Sequence, residues 1–206
     1  GISFAGSSYV VFGRSSGFAA ALALSSLDGN SGFRLDGVAA DDRSGVAVSR
    51  AGDINGDGID DLIIGANRAS PNGIDVAGSS YVVYGRSGGF AAAIDLSTLD
   101  GNSGFRLNGV ADGDNSGSAV STAGDINGDG IDDLIIGASF ADPNGNGNSG
   151  SSYVVFGRSS GFTAVLDLAT LDGDSGFRLD GIAANDRSGD AVSGVGDING
   201  DGAVGR

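Results

Sequence analysis

The chain has 206 residues and a formal net charge of −15, with 26 acidic against 11 basic residues. That balance leaves no basic stripe to neutralise phosphates, so nucleic acid is excluded as an expected partner and an anionic membrane surface is disfavoured. Cysteine is absent, which rules out a disulfide framework and leaves metal as the available staple, and no apolar run approaches the ~18 residues of a membrane span.

Every acidic residue is Asp and every basic residue is Arg, and Glu, Lys, Gln, Met, His, Cys and Trp are all missing. The absentees include most of the strong helix formers. With 40 glycines, abundant Ser and Asp, and apolar residues bunched in runs such as Tyr-Val-Val-Phe and Leu-Ile-Ile, the pattern is strands separated by turns. The fold class is therefore all-β. A collagen-like thread is excluded because there is no three-residue period, only two prolines occur and 40% of residues are hydrophobic, enough for a packed core. Without an initiator Met or a signal peptide, Gly1 reads as a processed or truncated start.

Tyr9, Tyr81 and Tyr153 each stand in Ser-Ser-Tyr-Val-Val-(Phe/Tyr)-Gly-Arg, and the steps from 9 to 81 and from 81 to 153 are both 72 residues. The period divides the chain into a partial first repeat (1–43), two full repeats (44–115 and 116–187) and a truncated repeat (188–206). Within the first full unit, residues 44–50, 60–66, 78–86 and 104–110 read as strands between turn signals. The second of these is a continuous apolar run, the mark of a strand buried on both faces. Four antiparallel strands per repeat make a β-propeller-type blade.

A unit of 72 residues exceeds the ~40 to 50 of common propeller repeats, and the extra length falls in residues 87–102. One helical turn or a short hairpin is expected there, its Phe90, Ile94, Leu96 and Leu99 covering a blade edge or face. Propellers close with ~4 to 8 blades, whereas this chain holds fewer than three. It is either part of a longer array or one of several copies that complete a structure.

Ahead of the apolar run lies Asp53-Ile54-Asn55-Gly56-Asp57-Gly58-Ile59-Asp60-Asp61, which recurs intact at 125–133 and in part at 197–205. Ca²⁺ takes six to eight hard oxygen ligands, which a tight loop offers from alternate positions. Asp53, Asn55 and Asp57 fill loop positions one, three and five, Gly58 permits the reversal, Ile59 offers its carbonyl and Asp61 supplies position nine. Asp125, Asn127, Asp129, Ile131 and Asp133 repeat the set, and Asp197, Asn199 and Asp201 repeat its first three members, with Gly205 in place of the last Asp. An EF-hand is rejected, because position twelve is Ile64 or Ile136 instead of Glu and a β-type run follows; a dockerin-like helix pair fails likewise. As simple turn formers, Asn-Gly and Asp-Gly would suit a lone copy, but two complete copies favour metal.

The stretch 52–66 resembles the FG-GAP repeats of integrin α-subunit β-propellers and of large secreted bacterial proteins. That resemblance implies a calcium loop of the form Asp-x-(Asp/Asn)-x-Asp-Gly-x-x-Asp joining adjacent strands of a blade. Ser44-Gly45, Ser116-Gly117 and Ser188-Gly189 stand at the Phe-Gly position of the family, and Gly65-Ala66-Asn67 and Gly137-Ala138-Ser139 replace its Gly-Ala-Pro.

Other candidates read as structural. Asp114-Asn115-Ser116-Gly117-Ser118 matches an Asp-x-Ser-x-Ser adhesion metal site in one repeat alone, as chance would in a Ser-rich chain. The pair Asp41-Asp42 reads as solvated turn carboxylates, Arg14, Arg86 and Arg158 as partners of Asp at blade edges or as marks of an interface, and Tyr9, Tyr81 and Tyr153 as core aromatics with the hydroxyl at the rim. Nucleophilic catalysis lacks a His, Cys or Lys partner, so no enzyme is expected. The expectation is an extracellular, calcium-binding structural or adhesion module whose partners are further copies, the rest of a longer array, or a protein or glycan surface ligand. Its rivals are a self-assembling fibre or surface-layer subunit, and a non-catalytic targeting domain of a larger secreted enzyme.

Overall fold

A computed structural model of the protein describes residues 2–196. In chain order the strands are β1 (Ser7–Val11), β2 (Gly32–Asp36), β3 (Ala47–Gly52), β4 (Asp61–Ala66), β5 (Ser79–Val83), β6 (Ala93–Asp95), β7 (Gly104–Asn108), β8 (Ala119–Gly124), β9 (Asp133–Ala138), β10 (Ser151–Val155), β11 (Val165–Asp167) and β12 (Gly176–Asp180). The only helical pieces among the described residues are single 3₁₀ turns, and none is long and apolar enough to cross a membrane.

Each full repeat contributes four antiparallel strands. The order β7-β5-β4-β3 makes the central blade and β12-β10-β9-β8 the next, while β1 and β2 are the third and fourth strands of the blade before them. In the central blade β4, β5 and β7 fall within the segments expected from turn signals, whereas β3 starts three residues later than the expected segment and runs two residues past it, to Gly52. Side chains alternate across each strand, and this sends neighbouring residues to opposite sides of the blade. From the central blade, Ile63, Val82, Phe105 and Leu107 enter one core with Leu134, Ile136 and Val155 of the following blade. Ile64, Tyr81 and Val83 enter a second core with Phe33 and Leu35 of the preceding one. That is why Leu-Ile-Ile is apolar without interruption: β4 has a blade on each side.

Identical sequence does not give identical burial. Both β1 and β5 read Ser-Ser-Tyr-Val-Val, yet Tyr81 is 2% exposed and Tyr9 is 42% exposed. The expectation of a core aromatic holds for Tyr81 and Tyr153, whereas Tyr9 is more exposed: among the described residues β1 pairs with β2 and with no strand on its other edge.

The inserted segment is neither a lone helical turn nor a hairpin. It carries a three-residue strand followed by a 3₁₀ turn (Leu96–Thr98, and Leu168–Thr170 in the next repeat). The strand leaves its own blade and pairs in parallel with the outermost strand of the preceding blade: β6 with β2, and β11 with β7. The insertion thus covers an edge, as expected, and the edge belongs to a neighbour.

At this joint the repeated arginines find aromatic rings instead of the expected carboxylates. Arg86 lies 4.4 Å above Phe90 and Arg158 lies 4.3 Å above Phe162, while those rings stack on Phe33 (4.3 Å) and Phe105 (4.1 Å) of the preceding blade. Arg14 makes the same contact with Phe18. Each Phe lies four positions after its Arg, so the guanidinium reaches the ring face within one turn, a geometry favoured by the ring quadrupole.

Candidate metal centre

The acidic loops sit at the tips of the β3–β4 and β8–β9 hairpins. In both, pairing shifts by one residue just before the loop, between Arg50 and Gly52 and between Thr122 and Gly124. The extra residue turns the chain out of the ladder into the loop. Gly58 and Gly130 take φ of 85° and 89°, the left-handed region that a side chain resists, and so let the loop reverse.

Inside the first loop the Asp57 N–H donates to both Asp53 Oδ1 (3.0 Å) and Asn55 Oδ1 (2.8 Å), and the Asn55 amide donates to Asp57 Oδ2 at 3.1 Å. Gly58 N–H donates to Asp53 Oδ2 at 2.7 Å and Ile59 N–H to Asp57 Oδ1 at 2.9 Å. The second loop repeats the pattern: Asp129 N–H to Asp125 Oδ1 and Asn127 Oδ1, the Asn127 amide to Asp129 Oδ2, Gly130 N–H to Asp125 Oδ2 and Ile131 N–H to Asp129 Oδ1. Asp53, Asn55 and Asp57, and likewise Asp125, Asn127 and Asp129, are therefore gathered on one turn.

Asp61 and Asp133 stand apart from that group. Both are buried at the start of the second strand, where Asp61 accepts from Ile54 N–H (3.1 Å) and Gly85 N–H (2.8 Å). Asp133 accepts from Ile126 (2.8 Å), Asn127 (3.3 Å) and Gly157 (2.9 Å). Each carboxylate ties the entrance of its loop to the exit of the third strand. Burial pushes the Asp61 carboxyl up to about 7 and Asp133 up to about 6, against the opposing pull of those backbone donors.

Among the described residues, no group of three or more acidic side chains closes into a cluster able to hold a metal ion. The donor set itself is all hard oxygen, and two of its members already converge within 3.0 Å of the Asp57 nitrogen. In donor chemistry the residues suit Ca²⁺. Asp197, Asn199 and Asp201 lie outside the described residues.

The two loops are also joined to each other. Asp132 accepts the Asp53 N–H, and Arg158 N–H donates to the Ile54 carbonyl at 3.0 Å. Ile54 itself is fully buried in the core between the blades. The repeated Asp-Asp doublet and the Gly-Arg after each Tyr-Val-Val-x were visible in the sequence as the only signals of this seam. Asp42 corrects the expectation of a solvated turn: it is buried and accepts from Ala39 N–H at 3.0 Å, and burial raises its pKa. Its repeat mate Asp114 does the same for Ala111 N–H, with Ser116 buried beside it in the turn.

Compared with known proteins, residues 44–83 and 116–155 match the FG-GAP repeat family. The chain is 30% identical over 142 residues to integrin alpha-6 of Gallus gallus, covering 69% of this chain and 11% of that protein. To phosphatidylinositol-glycan-specific phospholipase D of Bos taurus it is 37% identical over 119 residues, covering 58% of this chain and 14% of that protein. Integrin alpha-V of Gallus gallus matches at 30% over 150 residues, covering 66% and 13% respectively. The chain therefore spans between 11% and 14% of the length of these relatives. Four-stranded blades at a fixed repeat, the acidic hairpin tips and these matches together make residues 44–83 and 116–155 FG-GAP repeats, of the integrin α-like propeller kind.

Proposed function

We propose that the chain is a calcium-stabilised, non-catalytic propeller module of a secreted or cell-surface protein, with a structural or adhesive role toward a protein or glycan surface. The observation that carries this reading is the gathering of Asp53, Asn55 and Asp57 oxygens about one turn, repeated at Asp125, Asn127 and Asp129. Those residues, with the Ile59 and Ile131 carbonyls and Asp61 and Asp133, are the ones that would hold Ca²⁺. The third set, Asp197, Asn199 and Asp201, is proposed on sequence alone. When bound, the ion supplies positive charge that cancels repulsion among the carboxylates.

The protein's own part is to hold the hairpin. Asp61 and Asp133 anchor the loop entrance to the third strand, and Ile54 seats the loop in the core. A stiffened tip keeps the register of β3 on β4, so ion binding free energy becomes folding free energy. Kinship with integrin α subunits supports the surface location and the adhesive role, and the phospholipase is matched over only 14% of its length.

The test is removal of calcium with EDTA, verified by metal analysis, followed by thermal melting. At a hundredfold excess over Kd, one site stabilises by about 2.7 kcal/mol, roughly 5–10 °C in Tm for a chain of this size. Asp57→Ala and Asp129→Ala should each remove about one bound calcium by titration calorimetry. A melting curve unchanged by verified metal removal overturns the reading.

A further inference from the structure

In the blades on either side of the central one, the fourth strand carries an arginine clamped by an aspartate two positions on. Arg34 Nε lies 2.7 Å from Asp36 Oδ1 and Arg178 Nε 2.5 Å from Asp180 Oδ1, and a second guanidinium nitrogen of each donates to the other oxygen at 2.8 and 2.9 Å. The same carboxylates accept from the Ser7 and Ser151 hydroxyls of the third strand, at 3.1 and 3.2 Å. In the central blade the strand reads Gly-Phe-Arg-Leu-Asn, and the clamp is gone. Asn108 donates its amide to Asp167 at 2.7 Å, while Arg106 Nε and Asn108 Oδ1 are buried with no hydrogen-bond partner among the described residues. Because both repeat mates find their partner within their own strand, the difference comes from Asn108 itself.

Arg106 keeps the other contacts of its mates. It bonds the Tyr81 hydroxyl and faces Asp42, as Arg178 bonds Tyr153 and faces Asp114. What it lacks is a carboxylate in its fork, which a guanidinium holds through two parallel hydrogen bonds. Arg106 lines a cleft of about 400 Å³ between the connector 38–42 and the central blade, a size typical of small-ligand sites. Ser79, whose mates donate to the clamping aspartate, lines it too. On the same cleft stands Arg68, exposed and without an ion pair among the described residues. The repeat mate of Arg68 is Phe140, covered by Arg187 at 4.6 Å, so the second seam offers no such pair of arginines.

We propose that this cleft binds an acidic sugar, a hexuronate unit whose carboxylate is held by Arg106 with Arg68 as the second cation. Val38 and Pro71 give the cleft an apolar wall for the C–H face of the ring, and Asp41, Asp75 and Ser70 stand on it as acceptors for hydroxyls. Asp41, Asp42 and Asp75 also select against a doubly charged phosphate, since three carboxylates beside two arginines leave room for one further negative charge at most. An acidic peptide side chain would reach the arginines and leave the hydroxyl acceptors unused. The inference deepens the adhesive part of the proposed function and rests on it for its setting. No calcium-loop residue lines the cleft, so sugar binding and calcium stabilisation are tested apart.

The test is a chemical-shift titration of the whole 206-residue chain by nitrogen-edited NMR at fixed calcium, with methyl glucuronide, blocked at its anomeric carbon as in a glycan. Saturable shifts should appear at Arg68, Arg106 and Tyr81, with Kd on the order of 1 mM. Methyl glucoside, acetate, a blocked glutamate and inorganic phosphate should each bind at least about tenfold more weakly. Asn108→Asp rebuilds the clamp of the flanking blades and would face Asp167 as Asp36 faces Asp95. Arg68→Phe copies the second repeat. Each variant should keep the native spectrum elsewhere and weaken glucuronide binding about tenfold or more. No saturable shift up to about 20 mM, a control compound that binds as tightly as the glucuronide, or undiminished binding in both variants would each overturn the proposal.

Discussion

Asp132 reaches across the seam between two blades to accept the Asp53 N–H on Oδ2 at 3.0 Å, and its own N–H returns to the Asp53 carbonyl at 3.3 Å. One loop thereby holds the first residue of the other. The repeat mate of Asp132 is Asp60, which instead pairs with Arg50 on the surface at 2.8 Å. The two aspartates have the same neighbours in sequence and different work in space. Asp132→Ala leaves a part-buried N–H without its acceptor and is expected to cost about 1–3 kcal/mol. Asp60→Ala breaks only an exposed pair and is expected to cost less than about 1 kcal/mol. Urea denaturation of both variants at fixed calcium checks the difference. Equal losses would mean that the seam contributes nothing to stability.

The strands were legible because a blade interior demands apolar residues on both faces, and Leu-Ile-Ile or Tyr-Val-Val records that demand locally. The gathering of Asp53, Asn55 and Asp57 was legible too, since alternate positions of a tight turn face inward. The destination of the insertion was not. Ala93–Asp95 is three residues long and pairs with Arg34–Asp36 of another repeat, so nothing within its own stretch specifies the partner. Arg86 was assigned a carboxylate on charge alone, whereas the ring of Phe90 four residues on lies within its reach. Asp61 reads in sequence as a metal ligand, but its bonds to Ile54 and Gly85 depend on where the third strand ends, which is a tertiary fact.

Acid should act through a second class of aspartate. Asp28, Asp100 and Asp172 open the Asp-Gly-(Asn/Asp)-Ser turn before each fourth strand. Asp28 Oδ1 accepts from Asn30 N–H, Ser31 N–H and the Ser31 hydroxyl at 3.0, 2.9 and 2.8 Å, and Asp100 repeats this with Asn102 and Ser103. Asp172 does so with Asp174 and Ser175. Donors from the serine in each turn hold these carboxyls below the ordinary carboxylate range. A folded pKa below the unfolded one gives stability that is fully present above about pH 4 and is lost as pH falls through the folded pKa. The triple variant Asp28→Asn, Asp100→Asn, Asp172→Asn keeps an acceptor at each turn and removes the titration. Its stability, followed by urea midpoint against pH, should run parallel to wild type above about pH 5 and fall less steeply below about pH 4. Parallel curves throughout would rule out a role for these turns in acid unfolding.

At two matched positions each blade packs on the backbone of the next through glycine. A Cβ built on Gly65 of β4 would lie 2.0 Å from the carbonyl oxygen of Gly117, and one on its repeat mate Gly137 would lie 1.9 Å from that of Gly189. The obstacle is steric and made of backbone, which has no rotamer to move aside. Gly117 is itself fixed by its N–H bond to the Gly137 carbonyl at 2.9 Å, so relief at one blade disturbs the next. Gly65→Ala is therefore expected to destabilise by about 3 kcal/mol or more through forced separation of the blades. Gly88→Ala is the matched control: nothing lies within 4 Å of its added Cβ, and its φ is open to other residues. That change should leave stability unaltered or raise it by about 0.4–1 kcal/mol, through the smaller entropy of the unfolded chain. Thermal melts of the two variants side by side separate contact from propensity. A tolerated Gly65→Ala would mean that the blades can part at this seam without cost.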